Sequence, residues 1–282
     1  MPSLQQLRRR LKGIRSIHQI TKAMEMIATS KMQKAVKRNL QSRIYSAMVF
    51  ETASRLLGYP HPLCESRKAE RVLLFFLTSN RGLCGGFNSS LVKTLGDFLK
   101  EHADKEIKII TIGKKGRDYV ARHRPENLMA DFSGISEEIL YQEVTPVAHL
   151  LIEEYFQKRI DAVFLLYSHF LSSFVQVPTV LQLLPLNIQK NNLSQEEFLL
   201  EPSPQRLLDF LIPRVIETQL YQALLESKAS EHSARMVAMS NASKNAEELI
   251  DGLYLTYHSI RQATITSELT DMISTKKAME EV

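Results

Sequence analysis

Helix-breaking residues are almost absent from both ends of this 282-residue chain. Nine of the ten prolines lie between Pro60 and Pro213, and residues 3–59 and 214–282 contain none. Eight of the ten glycines lie within residues 58–134. A proline costs about 3 kcal/mol and a glycine about 1 kcal/mol in a helix interior. Both ends are therefore predicted to form helices several times longer than the ordinary helix of about 12 residues.

The net positive charge of the chain lies in its N-terminal helix. Residues 1–55 hold 12 Lys/Arg and 2 Asp/Glu, a net charge of +10, whereas the whole chain carries +5. Apolar residues recur there every three or four positions as a narrow stripe, which requires a partner helix. The basic face opposite the stripe indicates an acidic partner surface. Nucleic acid is one candidate, although no aromatic residue that could stack on a base precedes Tyr45.

The C-terminal segment supplies the partner helix. Helical spacing of apolar residues begins near Gln205, and the stretch from Ala229 to Ala242 is rich in Ala, Ser and Met. Small side chains allow two helices to pack closely, and the N-terminal segment is similarly slim. The two ends are predicted to pair as a long antiparallel coiled coil.

The middle of the chain has the pattern of an α/β domain. Short continuous apolar runs are typical of buried parallel strands, and the stretches between them have helical character. The predicted strands are 71–80, 106–113, 161–170 and, with a turn, 173–186; the predicted helices are 87–103, 114–123 and 137–158, the last starting at Ser136. The fold class is thus α/β plus coiled coil, with a Rossmann-like domain inserted between the two long helices.

No catalytic, cofactor or metal site is predicted. The glycine-rich stretch RGLCGGFN at 81–88 follows a strand but lacks both the P-loop and the dinucleotide fingerprint. Its three glycines are predicted to make a tight turn with positive φ, and Cys84 to be a buried turn residue. The eight histidines show no metal-ligand spacing, and no apolar stretch approaches the 18 residues of a membrane span.

Six blocks of sequence occur in this order along the chain: ITKAMEMIATSKM (20–32), SNRGLCGGFN (79–88), VPTVLQLLPL (177–186), EPSPQRLLDFLIPRVIETQLYQALLES (201–227), ASEHSARMVAMSNASKNAEELI (229–250) and RQATITSELTDMIS (261–274). These blocks resemble the gamma subunit family of F-type ATP synthases, and they occur in family order from residue 1 to about 275.

The resemblance implies a non-catalytic central rotor shaft. Its coiled coil would turn inside a hexamer of alpha and beta subunits, and its foot would stand with epsilon on the membrane c ring. It also implies three domains, at 1–58, 66–195 and 205–282. The chain would be a peripheral protein on the cytoplasmic face of a bacterial inner membrane, since no transit peptide is evident.

The resemblance further assigns partner contacts by position. Predicted contacts to the alpha/beta hexamer are Lys22, Met24, Lys31, Lys34, Arg261, Gln262, Thr266 and Glu268; predicted contacts to the c ring are Phe198 and Glu201. For each residue the alternative is packing within the coiled coil. Two rival functions stay open on residues alone: a coiled-coil nucleic-acid binder, which requires salt-dependent binding, and an α/β enzyme with coiled-coil arms, which requires a ligand-stabilised middle domain.

Overall fold

The computed structural model describes residues 3–56, 61–65, 67–132, 134, 136, 138–186, 201 and 203–280. In chain order the elements are α1 (Leu4–Arg55), β1 (Arg71–Leu77), α2 (Phe87–Glu101), β2 (Glu106–Ile112), α3 (Lys114–His123), a 3₁₀ turn (Pro125–Asn127), β3 (Leu128–Asp131), α4 (Tyr141–Phe156), β4 (Ala162–Phe170), β5 (Gln176–Leu184) and α5 (Pro204–Glu280). The predicted order of a long helix, an α/β region and a second long helix is confirmed.

The strands form one mixed sheet in the order β3-β2-β1-β4-β5. The first four strands are parallel, and β5 pairs antiparallel with β4 at the edge of the sheet. An edge position suits β5 because it contains Pro178, which cannot donate a backbone hydrogen bond. The apolar runs therefore mark parallel strands as predicted, with an antiparallel strand added.

Helices cover both faces of the sheet, which explains why β1 is apolar along its whole length. Leu73, Phe75 and Leu77 belong to a core formed with α4, the end of α1 and the first part of α5. The intervening side chains of β1, such as Leu74 and Phe76, belong to a core formed with α2 and α3. Side chains alternate between the two faces of a strand, so both sets must be apolar.

Two local predictions are wrong. The helix expected to start at Ser136 begins at Tyr141, where the Glu143 carboxylate accepts a hydrogen bond from the Leu140 N–H at 3.2 Å. Ser136 instead donates to the same carboxylate at 2.9 Å, so it supports the start of α4 from outside the helix. Strand β3 was not predicted, because its four residues are only partly buried and form no apolar run.

The chain divides into two compact units, Ala28–Arg235 and Met1–Ile27 with Met236–Val282. In the second of these, the two long helices run antiparallel. Thr21 accepts a hydrogen bond from Ser243 at 2.8 Å, and Arg8 donates to the Tyr257 hydroxyl at 2.8 Å. As residue numbers fall along α1 they rise along α5, which confirms the predicted antiparallel pairing.

Candidate partner-contact surfaces

The last part of α5 extends past the start of α1. Arg8, one turn into α1, contacts Tyr257 on α5. Beyond residue 260 every side chain that the structure describes is exposed, except the half-buried Thr264. Large apolar side chains are among them: Ile265, Leu269, Met272, Ile273 and Met279, between 44% and 76% exposed. This segment, residues 261–280, is called the C-terminal tip below.

The four predicted hexamer contacts of α5 all lie on this tip. Arg261, Gln262, Thr266 and Glu268 are exposed. The Thr266 hydroxyl donates to the Gln262 carbonyl at 2.9 Å, so it is occupied by its own helix. The other three residues present an exposed guanidinium, amide and carboxylate on this surface, which also carries the charged side chains of Asp271 and Lys276.

The two predicted contacts near the middle of the N-terminal helix have different surroundings. Lys22 is exposed and pairs with the Glu25 carboxylate at 3.0 Å. This lysine is the main cause of the lowered pKa of Glu25. Met24 is half-buried. Lys22 is the more accessible of the two, and the side chain of Met24 contributes partly to packing.

Lys31 and Lys34 line a basic cleft of about 130 Å³ between α1, the segment before α4, and α5. Arg38 also lines it and binds the Glu138 carboxylate at 2.9 Å. The hydrogen bond from Arg38 is the main cause of the lowered pKa of Glu138, and the nearby charge of Lys34 contributes. Two of the predicted contacts thus belong to one positively charged surface.

His232 also lines this cleft, is buried, and stays neutral near pH 7. Burial lowers its pKa to about 4, and the positive charges of Arg235 and Lys228 act in the same direction. Both of those cations bind the buried Glu231 carboxylate, at 2.8 Å and 3.0 Å. The positive charge of the cleft therefore comes from its lysine and arginine side chains.

Buried carboxylates fasten α5 to the α/β region, and sequence analysis missed them. Glu226 contacts the His169 ring at 2.6 Å. Glu217 accepts a hydrogen bond from the Tyr141 hydroxyl at 2.6 Å and one from Arg214 at 2.7 Å. Burial and this carboxylate raise the pKa of Tyr141 to about 12. Helical periodicity gave no signal for the contacts to His169 and Tyr141, since these partners lie on β4 and α4.

The glycine-rich turn after β1 is held against α5. The Arg235 guanidinium donates to the carbonyls of Arg81 and Gly82 at 3.2 Å and 3.4 Å. Positive φ was predicted for three glycines, but only Gly85 has it, and Leu83 adopts φ 62° instead. Cys84 is buried as predicted. The turn is a structural junction in which the carbonyls of Arg81 and Gly82 are already occupied.

The two remaining predicted contacts, those to the c ring, precede α5 in the sequence. Glu201 is exposed. Phe198 lies outside the described residues.

No group of three or more His, Cys, Asp or Glu side chains suited to a metal ion occurs in the part of the chain that the structure describes. Within that same part, no helix is long and apolar enough to cross a membrane.

Comparison with known proteins identifies the family. The family model described as ATP synthase matches residues 3–279. The chain belongs to this family. Within it, the chain is 41% identical to the ATP synthase gamma chain of Pelotomaculum thermopropionicum over 99% of this chain and all of that one. It is 37% identical to the ATP synthase gamma chain of Desulfitobacterium hafniense, with the same coverage. The family resemblance of the six sequence blocks is confirmed.

Solved ATP synthase structures have the same fold. A chain of the Tetrahymena thermophila mitochondrial ATP synthase central stalk and c ring is 28% identical, with a TM-score of 0.62 over 79% of this chain and 99% of that one. A chain of the Euglena gracilis mitochondrial ATP synthase is 21% identical, with a TM-score of 0.68 over 98% and 94%. The second similarity concerns the fold alone.

Proposed function

We propose that this chain is the rotor shaft of a bacterial F-type ATP synthase and that it carries no catalytic residue of its own. The observation that supports this most strongly is the C-terminal tip. A helix segment with five exposed large apolar side chains and no second helix in the described chain beside it is unfavourable in water. The tip would be stabilised by apolar surroundings that remove these side chains from water, and the interior of the alpha/beta hexamer would provide them.

The shaft would act by contact rather than by chemistry. An asymmetric surface turning inside three beta subunits touches each of them differently at any moment. A subunit changes conformation only as far as its contacts differ in free energy between its states. Arg261, Gln262 and Glu268 on the tip would supply charged and polar contacts to the hexamer.

The N-terminal helix would supply a second set of hexamer contacts. Lys22 and the basic cleft containing Lys31 and Lys34 would face acidic loops of the beta subunits. A charged pair across such an interface contributes about 1 kcal/mol when exposed to solvent, and more when water is excluded. Met24 would add an apolar contact beside them.

The foot would transmit the torque from the membrane. Phe198 and Glu201 precede α5 and would contact the polar loops of the c ring, with epsilon bound beside them. The domain division would follow these roles: 1–58 and 205–282 for the shaft and 66–195 for the inserted α/β domain. The complex would place the chain on the cytoplasmic face of the inner membrane.

Co-purification tests the assignment. A tag inserted near Gly134, away from both ends of the chain, is used to isolate the complex from detergent-solubilised membranes of the host. Alpha, beta, epsilon and c subunits are expected, with ATPase activity in the complex and none in the isolated chain. Recovery of the chain with nucleic acid, or of activity in the chain alone, would contradict the proposal.

Replacing Arg261 and Gln262 with alanine tests the tip contacts. We expect ATP-driven ion pumping to fall severalfold, because two polar contacts of about 1 kcal/mol each are lost, while the fold is unchanged. The measurement is acidification of inverted vesicles, with thermal unfolding of the purified chain as the stability check. The matched control is Glu247→Ala/Glu248→Ala, two exposed residues elsewhere on the same helix. Undiminished pumping by the Arg261/Gln262 variant would remove these residues from the contact surface.

A further inference from the structure

A second cleft lies under the helices on the sheet face opposite α4 and α5. It is bounded by α2 and α3 at the amino-terminal edge of β2, and its volume of about 400 Å³ is that of a small-molecule site. The polar side chains that line it are three cations, two imidazoles, a phenol and an amide: Lys100, Lys105, Arg124, His102, His123, Tyr119 and Asn127. None of the described residues that line it is a carboxylate. The cleft is called the α2–α3 cleft below.

Two histidines occupy equivalent places on the two walls of this cleft. Nδ1 of His102 lies 3.1 Å from the Phe98 carbonyl, and Nδ1 of His123 lies 2.9 Å from the Tyr119 carbonyl. A carbonyl oxygen only accepts, so Nδ1 carries the proton in both rings. Each ring also stacks on the aromatic ring four residues before it, at centroid distances of 4.3 Å and 4.4 Å.

This arrangement leaves Nε2 of each histidine available. Within the described chain neither Nε2 atom takes part in a hydrogen bond. A neutral ring offers an acceptor at Nε2 and a protonated ring offers an N–H donor. Stacking and the Nδ1 hydrogen bond fix the orientation of both rings, so little side-chain entropy would be lost when a ligand binds.

The charges of the lining select an anion rather than a metal cation. Neither Lys105 nor Arg124 has an ion-pair partner among the residues described, and the Lys100–Asp97 pair is loose, at 3.8 Å, and well exposed. Positive side chains are favourable at helix C-termini, which accounts for one cation at each helix end. This preference does not explain why the C-terminal ends of α2 and α3 line the same cleft together with two oriented imidazole rings. Three cations would repel a metal ion approaching the two histidines.

We propose that the α2–α3 cleft binds a phosphate group. The Lys105 ammonium and the Arg124 guanidinium would neutralise it, since guanidinium and ammonium groups are the usual partners of phosphate oxygens. Nε2 of His102 and of His123 would face the remaining oxygens, as a donor where the ring is protonated and as an acceptor from a P–OH group where it is neutral. The phosphate could belong to a soluble phosphate compound or to the headgroup of a membrane lipid.

The location of the cleft gives the lipid source a physical basis. Near the start of α5, the Asp209 carboxylate lies 3.4 Å from the His61 ring. Two residues after His61, the Leu63 carbonyl accepts a hydrogen bond from the Leu186 N–H. Leu186 follows β5, and the end of β5 pairs with the start of β4. The α2–α3 cleft and the start of α5 therefore share the amino-terminal edge of the parallel strands. That edge faces the membrane if α5 stands on the c ring, so the lipid source alone rests on the proposed function.

The first experiment titrates the full-length chain, labelled at its histidine rings, with inorganic phosphate and separately with ADP. We expect saturable NMR shifts of the His102 and His123 resonances, assigned with the single variants His102→Asn and His123→Asn. In Lys105→Gln/Arg124→Gln the affinity should fall at least about tenfold, because two charge-assisted hydrogen bonds are lost. The matched control is Lys93→Gln/Arg122→Gln, which removes one charge each from α2 and α3 at exposed positions outside the cleft.

The second experiment separates the two sources of phosphate. Flotation of the same proteins with phosphatidylglycerol vesicles, and with phosphatidylcholine vesicles as the neutral reference, measures binding to lipid headgroups. Binding of soluble phosphate alone assigns a soluble ligand, and binding of phosphatidylglycerol alone assigns a lipid. Either result supports the cleft only if Lys105→Gln/Arg124→Gln weakens that binding at least about tenfold and the control variant does not. Absence of all binding, or equal weakening by the two double variants, would overturn the proposal.

The phosphate-binding experiment tests the α2–α3 cleft even if co-purification contradicts the rotor function. Soluble phosphate binding depends only on the α2–α3 cleft and not on any partner subunit. If co-purification contradicts the rotor function while the histidine shifts persist, the cleft stands and the lipid source is withdrawn. If the histidine shifts and the phosphatidylglycerol binding are both absent while the rotor complex is recovered, only the cleft is rejected.

Discussion

At the scale of single residues, the side chains that hold α5 in place look ordinary in the sequence. Glu217, Glu226 and Glu231 occur in a helical pattern in which glutamates usually face water, yet all three are buried in the structure. Each has a hydrogen-bonded partner, as buried charges require. Removing one partner would leave the other unsatisfied, at a cost of about 1 to 3 kcal/mol.

The buried His232 makes the stability of the chain depend on pH. Its pKa is lowered from 6.5 to about 4, so below pH 6.5 the unfolded chain takes up a proton that the folded chain does not. Above pH 6.5 this residue therefore does not reduce the free energy of unfolding. As the pH falls from 6.5 toward 4, the free energy of unfolding decreases progressively. Between pH 7 and pH 5 we expect the free energy of unfolding to fall by about 2 kcal/mol from this residue.

Urea unfolding at pH 7 and pH 5 measures this effect. His232→Gln should be less stable than the native chain at pH 7 but should lose less stability between the two pH values. His258→Gln is the matched control, because His258 is exposed on the same helix. An equal fall in the unfolding free energy for the native chain and His232→Gln would contradict the assignment.

At the scale of elements, the sequence predicted the long segments better than the short ones. The two long helices and the four apolar strands are present, because their patterns extend over many residues. Strand β3 has only the residues Leu128–Asp131, and it exists because β2 offers it an edge. The start of α4 is likewise decided by the Glu143 carboxylate rather than by the earlier Ser136.

Gly113 connects β2 to α3 at a place where no other residue fits. Its φ is 111°, and an added Cβ would lie 2.2 Å from the backbone oxygen of Thr78. We expect Gly113→Ala to lower the free energy of unfolding by about 3 kcal/mol or more, as strained backbone and overpacking together require. Gly96→Ala is the control, since nothing lies within 4 Å of its Cβ position in the interior of α2.

Chemical denaturation measures the unfolding free energies of Gly113→Ala and Gly96→Ala. Gly96→Ala should raise the unfolding free energy by up to about 1 kcal/mol, because alanine favours the helix. Equal effects of the two substitutions would mean that the junction between β2 and α3 tolerates a side chain. In that case the close approach of Thr78 to Gly113 would not constrain the sequence.

At the scale of the whole molecule, one helix serves two purposes. One apolar face of α5 from Leu208 to Leu225 is buried in the α/β core, whereas the C-terminal tip is exposed. Local stability follows burial, since segments with few apolar contacts open easily. The helix α5 therefore has a firmly packed segment near one end and an exposed segment at the other.

Hydrogen exchange followed by mass spectrometry tests this division. In the isolated chain we expect fast exchange over residues 261–280 and slow exchange over 212–232. Adding the alpha/beta hexamer should slow exchange over 261–280 by at least about tenfold, because a bound helix no longer frays. The segment 212–232 serves as the internal control. Slow exchange of the tip in the isolated chain would show that it needs no partner.

The sequence alone determined the two long helices, the parallel strands and the family, because breaker distribution, periodicity and motif order are properties of contiguous residues. The family resemblance also predicted Arg261, Gln262 and Glu268 as partner contacts, and the tertiary structure shows that all three are exposed. Only the tertiary structure decided which glutamates are buried and where Arg235 binds. It alone brought the ends of α2 and α3 together around the α2–α3 cleft. These contacts join residues distant in the chain, and no local pattern records them.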